Sequence, residues 1–265
     1  MQHSIDSISV SKLIPILYEE PHFLLVNKPA GILTQAVPGI DSLQTLLTEQ
    51  IKLRDSHSGT PFIGLPHRLD RATSGVVLIA RNQRALGRFG DQFHHRLVQK
   101  FYLSWVEGEI TVADKWSDWI RKVKDEPRAE IVGPSEADAK LAEMLVQPLC
   151  HSQGQSLVLV KLLTGRMHQI RLQFASRGMH VLGDGLYGAK SRLSDDPDER
   201  RRPHGLHALR LEFRHPQTAI PLAITAPAPE YWQQDAAIYA ACEKIVERSQ
   251  QQIKSVWDWP VPVFS

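Results

Sequence analysis

The stretch Gly64–Arg81, GLPHRLDRATSGVVLIAR, sets one acid, Asp70, between Arg68 and Arg71, just ahead of an apolar run that opens at Gly75. Val76, Val77 and Ile79 are β-branched, so GVVLIAR predicts a central strand. A loop side chain beside such a strand is both exposed and rigidly carried. Two flanking guanidiniums lower the pKa of an acid and keep it a carboxylate, a state that suits a nucleophile better than a general acid. A turn aspartate in a local ion pair explains the same residues, so the choice rests on what surrounds them.

Upstream, Phe23–Gly31 (FLLVNKPAG) predicts a short buried strand stopped by Pro29 and Gly31. Leu43, Leu46, Leu47 and Ile51 form one helical stripe behind a Ser42 cap. Downstream, Ala85, Leu86, Phe89 and Phe93 recur at helical spacing from Asn82 to about Arg96. KFYLSWVEG alternates Phe101, Leu103 and Trp105 against Tyr102, Ser104 and Val106, the period of a strand. Residues 111–150, with Pro127, Pro134 and Pro148, predict hairpins and loops. SLVLVKLLTG reads as a strand, and Thr164 as the cap of a helix running to Gly178. LHALRLEFRHP is a further strand, and a helix is expected from Pro229 onward, with the proline-broken WDWPVPVF end packed back on the body. Strands and helices mix without strict βαβ alternation, which favours an α+β domain. The expected division is an N-terminal extension at 1–15, a catalytic domain at 16–230, and a C-terminal helix and tail at 231–265.

The chain has 265 residues, 42% hydrophobic and 23% charged, enough for a sizeable core. No apolar run is long enough to span a membrane and the N-terminus lacks a signal-peptide pattern, so a cytoplasmic protein is expected. Cys150 and Cys242 lack CxxC spacing and read as plain thiols. The 31 Lys+Arg and 29 Asp+Glu are too balanced to prove an anionic partner, but only Lys12 and Lys28 fall in the first 50 residues. Cations crowd at 68–96, 121–128 and 166–214. No heptad stripe stands out, so a monomer is expected.

Tyr102 lies on the strand face opposite Phe101, where a phenol can stack on a planar base and handle a proton; it equally reads as a half-buried sheet aromatic. In GRMHQIR, a helix starting near Gly165 would put His168 and Arg171 on one face, with Arg166 in the first turn against the helix dipole, a placement that suggests an anion. His67, His94, His95 and His168 show no HxH or HExxH spacing, so no metal site is expected.

These signals fall in a distinctive order. NKPxG (Asn27, Lys28, Pro29, Gly31) precedes HRLDxxTSG (His67, Arg68, Leu69, Asp70, Thr73, Ser74, Gly75), then KxY (Lys100, Tyr102), then GRxHQIR with GD and YG (Asp184, Tyr187), then HAxxLxFxHP from His207 to Pro216. That order resembles the RluA-type pseudouridine synthases from about residue 16 to about 230. Met167 stands where the family has a small hydroxyl residue, and Val181 where it has a proline.

The resemblance implies the pseudouridine synthase fold, a mixed, mainly antiparallel central sheet flanked by helices and loops with a catalytic cleft. It implies an isomerase that converts a specific uridine of ribosomal or transfer RNA to pseudouridine without cofactor or metal. Asp70 is then the essential carboxylate that attacks the ribose or abstracts its proton. Arg171 pairs with it, and Tyr102 packs on the uracil. The target base must be flipped out, with Arg68 as wedge or phosphate contact, and Lys28, Lys100, Arg71 and His168 follow on the rim of an RNA-binding cleft. With so short an N-terminus, the separate RNA-binding domain of many relatives is not expected, and target recognition is expected from the catalytic domain itself. Two rivals remain. A non-catalytic RNA-binding protein of the same fold would have lost Asp70 or Tyr102. A nucleoside glycosidase would want a second carboxylate, for which Asp184 is the motif-embedded candidate.

Overall fold

The computed structural model describes residues 13–56 and 59–251, the last through its backbone alone. Strands β1 (Ile16–Glu20) and β2 (Phe23–Lys28) form an antiparallel pair, followed by helix α1 (Leu43–Arg54). The Ser42 hydroxyl accepts from the Thr45 amide while the Thr45 hydroxyl accepts from the Ser42 amide, a capping box that fixes where α1 begins. Strand β3 (Ser74–Ala80) and helix α2 (Gln83–His94) come next, and Asn82 caps α2 through the Ala85 amide.

Strands β4 (Gln99–Glu107), β5 (Asp114–Lys122), β6 (Ala129–Ile131), β7 (Lys140–Ser152) and β8 (Gln155–Leu162) follow. Helix α3 (Gln169–Ala175), β9 (Leu206–Arg214), β10 (Pro221–Thr225) and helix α4 (Ala236–Gln251) complete the described chain. The strands join one sheet in the order β1-β2-β3-β9-β4-β8-β7-β5-β6, with β10 added to β9. Only the β3–β9 pairing, Ser74 opposite His207 and Gly75 opposite Ala208, is parallel among the described strands. This is the mixed, mainly antiparallel α+β sheet expected from the sequence.

Residues 111–150 are more regular than their prolines suggest. They build β5, β6 and β7, and the thirteen-residue β7 runs through Pro148 because its register with β8 shifts between Pro148 and Cys150. Such a bulge takes a proline out of the ladder. The C-terminal helix also starts later than expected. A short 3-10 turn at Glu230–Trp232 precedes it, and the Asp235 carboxylate accepts from the Ala237 and Ile238 amides to open α4. The expected extension at 1–12 and the WDWPVPVF tail lie outside the described residues.

The period-two pattern of β4 is present, but both of its faces are buried. Phe101, Leu103 and Trp105 pack with Leu157, Leu159 and Leu209 under Ile238, Cys242 and Ile245 of α4. Tyr102 and Val106 face the larger core with Val158, Val160, Phe89 of α2 and Leu47 of α1. Helix α4 is tied down at its far end by Arg210, which donates to the Ser249 carbonyl and pairs with Glu212 at 2.8 Å. A cation at a helix C-terminus offsets its unpaired carbonyls.

The parallel β3–β9 contact brings two backbones closer than a side chain allows. Gly75 has φ +115°, and a β-carbon there would lie 2.3 Å from the Ala208 carbonyl oxygen. Gly75→Ala is therefore expected to lower unfolding free energy by about 2–4 kcal/mol, combining left-handed strain with overpacking. Urea denaturation of the two proteins checks this, and equal midpoints would refute the close-approach argument.

Candidate active site

The loop between Gly64 and Thr73 carries Asp70, and buried groups hold it from three sides. The Thr34 hydroxyl donates to the Leu69 carbonyl at 2.7 Å and accepts from the Leu69 amide at 3.1 Å. His67 Nε2 accepts from the Leu78 amide at 2.9 Å while its ring stacks on Phe93. Burial pushes the His67 pKa down to about 3, so the ring is neutral and free to accept. The Lys28 ammonium donates to the carbonyls of Pro29, Ile32 and Arg71.

Across from this loop, Arg171 projects from α3. Its Nε and Nη2 donate to the Asp184 carboxylate at 2.6 and 2.8 Å, and its Nη1 donates to Asp70 Oδ2 at 2.9 Å. Arg171 and Asp184 are buried, whereas the Asp70 side chain keeps 27% of its surface exposed. The guanidinium carbon also lies 5.1 Å from the centre of the Tyr187 ring. Burial pushes the Asp70 pKa up, but His168, Arg171 and Arg68 outweigh it and hold the carboxyl below its ordinary value. Burial in turn lowers the pKa of His168, which leaves Arg171 and Arg68 as the permanent counter-charges. The site thus presents one ionised, partly accessible carboxylate whose cationic partner is itself clamped.

Helix α3 begins four residues later than Thr164 suggests. The Thr164 hydroxyl donates to Gln169 Oε1 and accepts from the Glu143 amide, so it ties α3 to β7 instead of capping it. His168 occupies the N-cap position in the left-handed region, φ 52°. Arg166 consequently lies ahead of the helix, its Nε donating to the Leu141 carbonyl, and it does not stand in the first turn against the helix dipole as expected. His168 nonetheless faces the site, with Nε2 3.7 Å from Asp70 Oδ2 and Nδ1 3.1 Å from the Tyr187 hydroxyl.

Tyr102, on β4, borders the same site, and burial followed by the Asp70 charge raises its pKa, so its ring is a neutral phenol. Arg68 is exposed beside Asp70, while Arg71 is half-buried with Nε on the Gly31 carbonyl. Lys100 is half-buried on β4. Lys28 departs from expectation. It is fully buried with three carbonyl partners, so it braces the loop from beneath and meets no ligand at a rim.

Asp184, considered from the sequence only as a second carboxylate, orients Arg171, and Tyr187, quoted without a role, accepts from the Ala129 amide at 2.8 Å through its hydroxyl while touching His168. Thr34 had no sequence signal at all. No helix among the described residues is long and apolar enough to cross a membrane.

The family model for RNA pseudouridylate synthase matches residues 22–176. Ribosomal large subunit pseudouridine synthase D of Xylella fastidiosa is 30% identical over 234 residues, 85% of this chain and 69% of its own. Dual-specificity RNA pseudouridine synthase RluA of Vibrio vulnificus is 31% identical over 239 residues, 85% of this chain and 87% of its own. Among solved structures, human RNA Pseudouridylate Synthase Domain Containing 1 shares the fold, with TM-score 0.66 and 24% identity over 92% of this chain and 98% of that one.

Two stability measurements test the site's framework. Asp184→Asn removes half of a buried pair and leaves the Arg171 charge under-compensated, so a loss of roughly 3 kcal/mol is expected in urea denaturation; a loss under 1 kcal/mol would refute the clamp. Burial, only partly offset by the charge on Asp70, lowers the Lys28 pKa to about 7. Between that value and the ordinary lysine pKa the unfolded chain binds the extra proton, so Lys28 makes stability rise with pH in that window. Denaturation of wild type and Lys28→Met at pH 7 and pH 9 should show wild type gaining relative to the variant. An equal response would place the Lys28 titration elsewhere.

Proposed function

This chain belongs to the RNA pseudouridylate synthase family, and from that premise we propose that Asp70 is the carboxylate through which it isomerises uridine to pseudouridine in RNA. The reaction breaks the N1–C1′ bond, turns the uracil and forms a C5–C1′ bond. C5 gives up a proton and N1 takes one, so no other reactant is consumed. Asp70 begins it by attacking C1′ or by taking a ribose proton, and either step needs the carboxylate ionised and within reach.

One observation carries this reading: the 2.9 Å pair of Asp70 with an Arg171 that is itself bidentate to Asp184. The arrangement holds Asp70 charged against the desolvation of its site. When Asp70 gives up its charge to a bond, Arg171 still faces a carboxylate, so the step leaves no buried cation alone. A second carboxylate acting as acid or base is what the glycosidase reading requires, and Asp184 is occupied by Arg171 on both oxygens.

Tyr102 is assigned the ring beneath the uracil, its neutral hydroxyl serving as the hydrogen-bonding partner through which the C5 proton is handled. A base still stacked in RNA cannot reach Asp70, so the nucleotide is flipped, and the exposed Arg68 takes the vacated position or its phosphate. Arg71, Lys100 and His168 line the approach. Because one relative carries the name ribosomal large subunit pseudouridine synthase D, large-subunit ribosomal RNA is the proposed substrate. Residues 16–230 are read as the catalytic unit, acting as a monomer in the cytoplasm.

Asp70→Asn is expected to abolish pseudouridine formation, a rate loss of at least about 1000-fold, while keeping RNA affinity within a few-fold of wild type. Carbodiimide mapping of pseudouridine in cells carrying wild type, Asp70→Asn or no gene measures this directly. One or a few ribosomal sites lost in both mutants supports the reading, and loss confined to transfer RNA reassigns the substrate. Substantial turnover by Asp70→Asn overturns the role of Asp70.

A further inference from the structure

Lys100 lies against Gly165 next to Arg166, and the Arg96 charge also acts on it, so three cations gather at this point of the chain. The chain leaves α2 through Arg96, whose left-handed conformation (φ 58°) turns it toward the start of β4. Lys100 follows on β4, and its ammonium occupies the space above Gly165, where a β-carbon would lie only 2.9 Å from Nζ. Arg166 is the next residue, fixed through its amide to Gln169 and through Nε to the Leu141 carbonyl. Among the described residues no ion pair with a carboxylate involves Lys100, Arg96 or Arg166, whereas Arg121, Arg128 and Arg177 each have one. Burial first, then the charges of Arg96 and Arg166, lowers the Lys100 pKa to about 8. Lys100 and Arg166 are half-buried while Arg96 is exposed, and a half-buried cation without a counter-charge costs stability that a bound anion restores.

Position supplies the rest. Lys100 and Tyr102 are two residues apart on β4 and so on one face of it, about 7 Å apart along the strand. We propose that Lys100, Arg96 and Arg166 form a subsite for one backbone phosphate of the RNA strand, next to the nucleotide held at Tyr102 and Asp70. The subsite rests on the proposed function for its ligand, and it explains why position 165 is glycine: any larger residue would displace the ammonium.

The test uses the full chain carrying Asp70→Asn, so that nothing turns over, with labelled dodecauridylate as the probe. Binding is followed by fluorescence anisotropy between about 50 and 200 mM salt. Each cation removed should lower the slope of log affinity against log salt by about 0.7, so Arg96→Gln, Lys100→Met and Arg166→Gln together should lower it by about 2. Affinity at the lower salt should fall at least tenfold, Lys100→Arg should retain most of the slope, and Lys244→Met on α4 should match the parent. Gly165→Ala should weaken binding without changing net charge, and it carries the test with Arg166→Gln if Lys100→Met fails to fold. A parental slope in the folded triple variant overturns the subsite. Pseudouridine formation by the wild-type chain on ribosomal RNA is measured in parallel. Activity with an unchanged slope overturns the subsite alone, whereas no activity with a reduced slope overturns the proposed function and leaves a polyanion site.

Discussion

Arg171 shares one guanidinium between two carboxylates, and most of the local architecture follows from satisfying it. A buried arginine is tolerated only where its donors are met, and here Asp184 takes two and Asp70 a third. Meeting them requires α3 to point its first turn at the loop before β3, which is why the chain reverses through a left-handed His168 before the helix begins. It also requires the 183–188 turn to present Asp184 from the far side, and Tyr187 in that turn covers the guanidinium face. The accessible acid is thereby the least constrained member of a rigid trio.

The Asp70 loop is rigid for a complementary reason. Irregular backbone leaves amides and carbonyls without partners, and each one buried unpaired costs free energy. Thr34 takes both the amide and the carbonyl of Leu69, Lys28 ties the Arg71 carbonyl to those of Pro29 and Ile32, and His67 of the loop itself anchors on the Leu78 amide of β3. A loop pinned in this way presents its carboxylate at a fixed distance from α3 without a bound ligand, the preorganisation that electrostatic catalysis depends on.

Much of this was legible in the chain. The cap at Ser42, the helical stripe from Asn82, the buried β3, the strand period of β4 and the pairing of Asp70 with Arg171 all rest on local signals or on motif order, and the structure contains them. The misreadings share a cause. Thr164 has the chemistry of a cap, but a partner from β7 claims its hydroxyl. Pro148 looks like a breaker until a bulge accommodates it. Lys28 looks like a surface cation because lysines nearly always are. In each case a residue distant in sequence decides the outcome, and a single chain read locally does not display that residue. Asp184 was visible as a motif member, while its partner was not.

The two-sided burial of β4 also orders how the molecule comes apart. Strands β8, β4 and β9 lie inside the sheet with a core on each face, so their amides open only with the whole fold, whereas β6 and β10 have the sheet on one side alone. Hydrogen–deuterium exchange would read this as a protected centre carrying Tyr102 and a labile periphery. Asp70 is joined to that centre through β3, whereas Arg171 rides on α3, which packs on β5 and β6, so the two halves of the charge pair are carried by regions of unequal permanence.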